Sequence, residues 1–216
     1  ALKGVEAGRL KIGVVSTAKY FAPSLLAEFR RRHPGVEVQL MVHNRGTIVR
    51  LLAENEIDLA IMGTPPGEFE TVAREFADHP LVFIAAPNHR LAQKRRIDPR
   101  QLAEETLLIR EPGSGTRSAL ERFLVEHGVA AGSVMELGSN ETIKQAVMAG
   151  LGISFISEHT IGLERSVGRL VKLNVSGTPV NRQWRLVHRR ALDGVEGHVL
   201  HQLLQPLGNR ALAAAD

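Results

Sequence analysis

Two hydrophobic patterns alternate along the first part of the chain and predict a compact module of strands and helices. Leu10–Val15 and Ile57–Met62 are unbroken apolar runs, which is typical of buried strands. In Val36–Val42 apolar and polar residues alternate, as in a half-buried strand. Between these strands the apolar spacing predicts two helices, one beginning at Pro23 and one around Ile48–Leu52. The module is therefore β-α-β-α-β.

The same succession of elements repeats after a linking strand at Leu81–Pro87. The repeat is predicted to have strands at residues 107–109, 134–137 and 153–156 and helices around 120–124 and 143–148. Late strands are predicted at Leu170–Val175 and Trp184–His188, the second as a return crossing, before a helix near Val199–Leu207. This order indicates the α/β class with two small lobes. We expect a ligand-binding cleft between them, lined by loops at the carboxyl ends of the strands.

Three loops rich in hydroxyl groups lie where a predicted strand runs into a helix: Ser16–Lys19, Gly113–Thr116 and Ser139–Thr142. Backbone N–H groups at the start of a helix are unpaired and attract anions together with the helix dipole. Such residues are also ordinary helix caps, so each loop alone has a purely structural interpretation. Arg45 and Arg110 could pair with a carboxylate or phosphate, or could simply be solvated surface arginines.

Composition narrows the function classes further. The 216 residues are 44% hydrophobic and carry a formal net charge of +4, which is mild for a nucleic-acid-binding surface. The absence of cysteine excludes disulfide scaffolds, thiolate metal sites and cysteine nucleophiles, and fits a cytoplasmic protein. Phosphate-loop, dinucleotide and nucleophile-elbow motifs are missing. His198 and His201 lack further ligands at metal spacing, so neither a metal nor a cofactor is expected.

Several segments together resemble the effector-binding domain of LysR-type transcriptional regulators. The resemblance runs from about Arg9 to the C-terminus. Its general features are the segments 10–13, 33–36, 55–61, 86–91 and 149–153. A narrower resemblance, to the regulators of the Calvin-cycle (RuBisCO) operon, lies in Val15–Pro23, Arg110–Arg117 and Ser139–Gly150.

The resemblance implies a type II periplasmic-binding-protein-like fold, with two Rossmann-like subdomains joined by two crossing strands and an effector cleft between them. Subdomain I would comprise residues 9–83 and 189–216 and subdomain II residues 84–188, with 1–8 as a remnant of a linker helix. It further implies that a winged helix-turn-helix is absent from this chain. That missing domain would bind promoter DNA, while this one would self-associate, as a dimer or, in the full-length protein, a tetramer.

In this group the implied effector is a small anionic metabolite, phosphorylated or NADPH-like. The resemblance and the loop pattern together give these candidate effector-binding residues: Ser16, Thr17, Lys19, Asn44, Arg45, Arg110, Gly113, Ser114, Gly115, Thr116, Asn140, Glu141 and Thr142.

Two other functions remain open from the sequence. A solute-binding protein of a transporter has the same fold, but it would be exported and monomeric. A small α/β enzyme acting on a phosphorylated or carboxylated metabolite would need a nucleophile or base, and only Glu141 is a candidate base. We therefore expect a regulator domain rather than an enzyme.

Overall fold

A computed structural model describes residues 8–190, and the chain divides into two compact units. Unit 1 comprises Ala1–Asp78 and Gln183–Asp216, and unit 2 comprises His79–Arg182. The predicted limits at 83/84 and 188/189 lie a few residues later. Both sets fall inside continuous strands, where hydrophobic periodicity has no break to mark a boundary.

Unit 1 is built around a sheet in the order β2-β1-β3-β9. Its elements, in chain order, are β1 (Gly8–Val15), α1 (Ala22–Arg32), β2 (Val36–His43), α2 (Arg45–Ala53), β3 (Leu59–Met62), the first part of β4 (Thr71–Ala85) and the last part of β9 (Val180–Arg189). Strands β1, β2 and β3 are parallel, and β9 runs antiparallel to β3. The predicted β-α-β-α-β module is confirmed, and Gly8, predicted to belong to a linker helix, is the first residue of β1.

The core of unit 1 forms where the two helices cover this sheet. Phe29 on α1 and Ile48 on α2 are fully buried and belong to one apolar cluster with Leu10 and Ile12 of β1. Trp184 of β9 is fully buried and meets the ring of Phe21 edge to face, at a centroid distance of 5.0 Å.

Unit 2 contains a sheet in the order β4-β7-β5-β6, with β8 paired to β4. Its elements are the second part of β4, β5 (Thr106–Arg110), α3 (Gly115–Glu126), β6 (Ser133–Leu137), α4 (Asn140–Met148), β7 (Ile153–Ser157), α5 (Gly162–Ser166), β8 (Val171–Leu173) and the first residues of β9. Strands β5, β6 and β7 are parallel, whereas β4 is antiparallel to β7. The second predicted module is confirmed as well.

Each face of the unit 2 sheet carries its own apolar cluster. Phe83, Phe123 and Phe155 pack together on the face covered by α3. On the other face Ile143 and Val147 of α4 pack with residues of β4, β5 and β7. Helix α4 is therefore held firmly against the sheet, and its first turn is positioned by that packing.

Strand β4 begins ten residues earlier than the predicted start at Leu81. Its first half carries charged residues, which conceal the strand from an analysis of hydrophobic pattern. Tertiary contacts within unit 1 hold this half instead: Arg185 of β9 pairs with Glu75, and Gln183 Nε2 donates to Asp78 at 2.8 Å. The pattern also missed the short helices at Pro99–Glu104 and Gly162–Ser166.

Three sequence predictions fall outside the described part of the chain. They are the linker remnant apart from Gly8, the helix near Val199–Leu207, and the pair His198 and His201.

Candidate functional site

The carboxyl ends of three parallel strands meet at one edge of unit 2. Because β5, β6 and β7 run in the same direction, the loops that follow them lie side by side. Gly113–Thr116 leads from β5 into α3, Ser139–Thr142 leads from β6 into α4, and β7 continues into Glu158–Thr160. The structure therefore brings together all the candidate residues predicted in this unit.

The loop after β5 ends in a capped helix. Ser114 is the N-cap of α3, and its Oγ accepts from the Arg117 N–H at 3.5 Å. Gly113 has φ +87°, a left-handed conformation that a residue with a Cβ adopts only at a cost, and it turns the chain into the helix. The Ser114 and Thr116 side chains are buried in this turn. Ser114 is therefore a helix cap, as the structural interpretation of this loop expects. The positive end of the α3 dipole lies in the same loop.

The loop after β6 forms the more polar of the two helix starts. Ser139 caps α4 by accepting from the Thr142 N–H at 3.1 Å. Asn140 follows it, is only 1% exposed, and accepts from Arg110 Nη1 through Oδ1 at 2.6 Å. Within residues 8–190 its Nδ2 is buried and has no hydrogen-bond partner. A buried amide donor without an acceptor is costly, so this end of α4 is suited to an incoming acceptor.

Arg110 is buried and paired within unit 2, so it is not a solvated surface arginine, and its contact with an effector stays a prediction. Its guanidinium is buried and donates through Nε and Nη2 to both carboxylate oxygens of Glu111, at 2.7 and 2.8 Å. Through Nη1 it also donates to Oδ1 of Asn140, which fixes the orientation of that amide. The Nδ2 group of Asn140 is then the donor that remains unused. Arg110 therefore positions Asn140.

Lys144, which lies one helical turn after Asn140 on α4, is not among the predicted site residues. Its ammonium is 3% exposed and donates to the Thr160 carbonyl at 3.0 Å and to Glu164 Oε1 at 2.7 Å. Glu141 Oε2 lies 3.3 Å away. A single lysine on the apolar face of a predicted helix was the available signal, because buried ammonium groups need partners.

His79 and Arg182 were also missed in unit 2. His79 lies on β4, is 3% exposed, and its ring centroid is 6.5 Å from that of His159. Burial, then the charge of Arg182 and then that of His159, holds the pKa of His79 well below its usual value. Arg182 Nη1 donates to the Gly115 carbonyl at 3.2 Å, at the start of α3.

Unit 1 has a similar edge, because β1, β2 and β3 are also parallel. Asn44 caps α2 by accepting from the Thr47 N–H at 3.0 Å. Arg45 donates through Nε to the Thr64 carbonyl at 3.0 Å and through Nη2 to the Pro65 carbonyl at 3.1 Å. Arg45 thus fixes the loop that follows β3.

The loop after β1 is formed without a side-chain cap. Thr17 is buried and precedes a short 3-10 helix at Ala18–Tyr20, but it makes no capping hydrogen bond. Lys19 lies 5.3 Å from the centroid of the Tyr20 ring. Ser16, Thr17, Lys19, Asn44 and Arg45 therefore share one edge of unit 1, and the predicted cleft between the lobes stays a prediction.

Residues 8–190 contain no group of three or more His, Asp or Glu side chains placed to hold a metal ion. Across the same residues no helix is both long and apolar enough to span a membrane.

Residues 3–195 match the LysR substrate binding domain. The chain is 53% identical over 190 residues to the HTH-type transcriptional regulator CbbR of Rhizobium meliloti, covering 88% of this chain and 61% of the relative. It is 51% identical over 190 residues to the RuBisCO operon transcriptional regulator of Allochromatium vinosum, covering 88% and 63% respectively. The chain thus spans about three fifths of the length of these relatives.

A solved structure is similar over nearly the whole chain. The CcmR regulatory domain of Synechocystis PCC6803, in complex with 2-PG, superposes with a TM-score of 0.88 at 40% identity. The match covers 94% of this chain and 99% of that one. The expected periplasmic-binding-protein-like type II fold is confirmed by this likeness.

Proposed function

Because the chain belongs to the family of LysR substrate-binding domains, we propose that it is the effector-sensing part of a transcriptional regulator of CO2-fixation genes. The names of the relatives support this, since one is a RuBisCO operon transcriptional regulator and another is the HTH-type transcriptional regulator CbbR. The proposed effector is a small phosphorylated metabolite. The CcmR domain was solved with 2-PG, and 2-phosphoglycolate is the compound we choose as probe.

One observation of this chain carries the ligand class. At the start of α4 the buried Nδ2 of Asn140 is a donor without an acceptor, and it lies where the helix dipole attracts negative charge. Arg110, itself paired with Glu111, donates to Oδ1 of this amide and holds it in place. A phosphate oxygen would accept from Nδ2 and from backbone N–H groups of the first turn.

The remaining candidate contacts of unit 2 are proposed from their position at the same sheet edge. Gly113–Thr116 presents the dipole of α3, and Thr142 lies in the first turn of α4. For unit 1, the contribution of the Ser16–Lys19 loop and of Asn44 and Arg45 stays a prediction from the sequence.

Promoter binding, self-association and a cytoplasmic location are proposed for the whole protein. Support comes from the relatives, which are named as helix-turn-helix regulators. We further propose that the chain is not an enzyme, because the relatives are named as transcriptional regulators.

Titration calorimetry with 2-phosphoglycolate tests the effector class, and Asn140→Asp tests the site. The aspartate keeps an oxygen for Arg110 but replaces the Nδ2 donor by a negative oxygen, so the fold should persist. We expect affinity to fall at least about tenfold, because a donor to an anion is lost and a like charge is introduced.

Asn181→Asp is the matched control, since it introduces the same charge at an exposed position of β9. It should bind 2-phosphoglycolate almost as the wild type does. Wild-type affinity in Asn140→Asp would remove the start of α4 from the site. No heat with 2-phosphoglycolate or with any other phosphorylated metabolite would refute the proposed effector class.

A further inference from the structure

The ion cluster beneath the first turn of α4 contains more negative than positive charge. Lys144 contributes one ammonium, while Glu141 and Glu164 contribute two carboxylates at 3.3 and 2.7 Å. The Thr160 carbonyl also accepts from the ammonium, at 3.0 Å, without adding charge. The three side chains therefore sum to one negative charge.

The two carboxylates differ in exposure. Glu164 is mostly buried, at 15%, and is needed to compensate the buried ammonium. Glu141 is 50% exposed and lies in the first turn of α4, next to Asn140. Its charge thus acts where an anionic ligand of this end of α4 would bind.

We propose that Glu141 sets an upper limit on the affinity of unit 2 for anionic ligands, and that Lys144 is the positioning residue that holds its carboxylate there. The inference rests on the proposed function, because it concerns the same end of α4. A ligand phosphate would share the helix dipole and the field of Lys144 with the Glu141 carboxylate, and the two negative charges repel each other. Glu141 therefore acts by charge and does not accept a hydrogen bond from the ligand.

Glu141→Gln tests this directly, since it removes the charge at an exposed position and leaves Lys144 paired with Glu164. Titration with 2-phosphoglycolate at low salt should show binding about threefold to tenfold tighter than in the wild type. The gain should shrink in concentrated salt, because ions screen a half-exposed charge. A hydrogen-bonding role for the carboxylate would instead weaken binding, with little dependence on salt.

Glu121→Gln is the matched control. Glu121 is 57% exposed on α3 of the same unit, where it pairs with Arg117 at 2.8 Å, so the substitution makes the same change in net charge. Its affinity for 2-phosphoglycolate should stay within about twofold of the wild type, since it lies beyond the first turn of its helix.

Lys144→Met tests both roles of the ammonium. It removes this cation from beside the two carboxylates, so binding should weaken. The gain from Glu141→Gln should also be smaller in this background than in the wild type, because Lys144 no longer holds the Glu141 carboxylate in place. Combining it with Glu141→Gln should restore part of the affinity if charge is the cause. Should Lys144→Met unfold, as thermal melting would reveal, the Glu141→Gln titration decides alone.

The outcomes separate the two proposals. Tighter binding by Glu141→Gln, with the control unchanged, supports the inference. Equal or weaker binding by Glu141→Gln, when the wild type binds, overturns it and leaves the proposed function standing. If the wild type binds no phosphorylated compound, the effector class fails and the inference fails with it.

Discussion

At the scale of single residues, several polar side chains that are predicted to contact a ligand already make hydrogen bonds within the protein. Arg110 is occupied by Glu111 and Asn140, and Arg45 by two carbonyl groups of the loop after β3. Ser114 and Asn44 cap helices. Asn140 keeps a buried donor, because its Oδ1 accepts from Arg110 while its Nδ2 has no hydrogen-bond partner within residues 8–190. Preorganisation of this kind lowers the cost of ordering the site when a ligand binds.

His79 makes the stability of the protein depend on pH. Its pKa is lowered in the folded state by burial first and then by Arg182 and His159, whereas the unfolded chain has an ordinary value of about 6.5. Above that pH both states are neutral at this position. Between the two pKa values the unfolded chain binds the proton and the folded protein does not, so the free energy of unfolding falls there by about 1.4 kcal/mol for each pH unit.

We therefore expect the free energy of unfolding of His79→Gln to fall less than that of the wild type between about pH 6.5 and 5. Its absolute stability at pH 8 does not enter this comparison. Urea unfolding at several pH values measures the slope of the free energy of unfolding against pH, which should be smaller in the variant. His43→Gln, which changes an exposed histidine, should keep the wild-type slope because His79 is intact. Parallel curves for His79→Gln and the wild type would contradict the assignment.

At the scale of elements, close approach of strands determines where side chains are forbidden. Gly152 precedes β7, and a Cβ built there would lie 2.3 Å from the backbone oxygen of Thr106 at the start of β5. Neither backbone can move without disturbing the parallel pairing of Leu107 with Ile153. The glycine is therefore required by packing between two strands.

Gly152→Ala should destabilise unit 2 by about 1–3 kcal/mol or more, the usual cost of overpacking a rigid site. Denaturant unfolding measures the loss. Gly138→Ala is the matched control, since nothing lies within 4 Å of a Cβ at that position, and it should stay within about 0.5 kcal/mol of the wild type. Equal stability of the two variants would mean that the strands separate easily.

At the scale of the whole molecule, β4 and β9 each run from one unit into the other. The sequence predicts that an effector binds in a cleft between two lobes and favours one arrangement of them. That remains a prediction, and a ligand can shift such an equilibrium only by its difference in affinity for the two arrangements.

Solution scattering on the full chain tests both this switching and the predicted self-association. We expect a mass of at least twice the 23.6 kDa of one chain, and a profile that changes with saturating 2-phosphoglycolate. Addition of glycolate at equal concentration is the control, since it lacks the phosphate. A monomer, or identical profiles with and without 2-phosphoglycolate, would contradict the corresponding half of the prediction.

The sequence by itself determined the class of fold and most of its elements. Hydrophobic periodicity is local, so the parallel modules, the loops after their strands and the caps Ser114 and Ser139 could all be predicted from neighbouring residues. The family segments added the crossing strands and the expectation of a phosphorylated effector. In the first half of β4, charged residues interrupt the hydrophobic pattern, so the strand could not be predicted there. Contacts with Arg185 and Gln183, which are distant in sequence, stabilise that part of the strand.

Only the tertiary structure decided what each polar residue does. Pairing partners depend on contacts between residues far apart in sequence: Arg110 meets Asn140 across 30 positions, and Lys144 meets Glu164 across 20. No local spacing encodes these contacts. The buried pairing of Arg110, the remaining donor of Asn140 and the buried charge of Lys144 are all consequences of packing between distant segments.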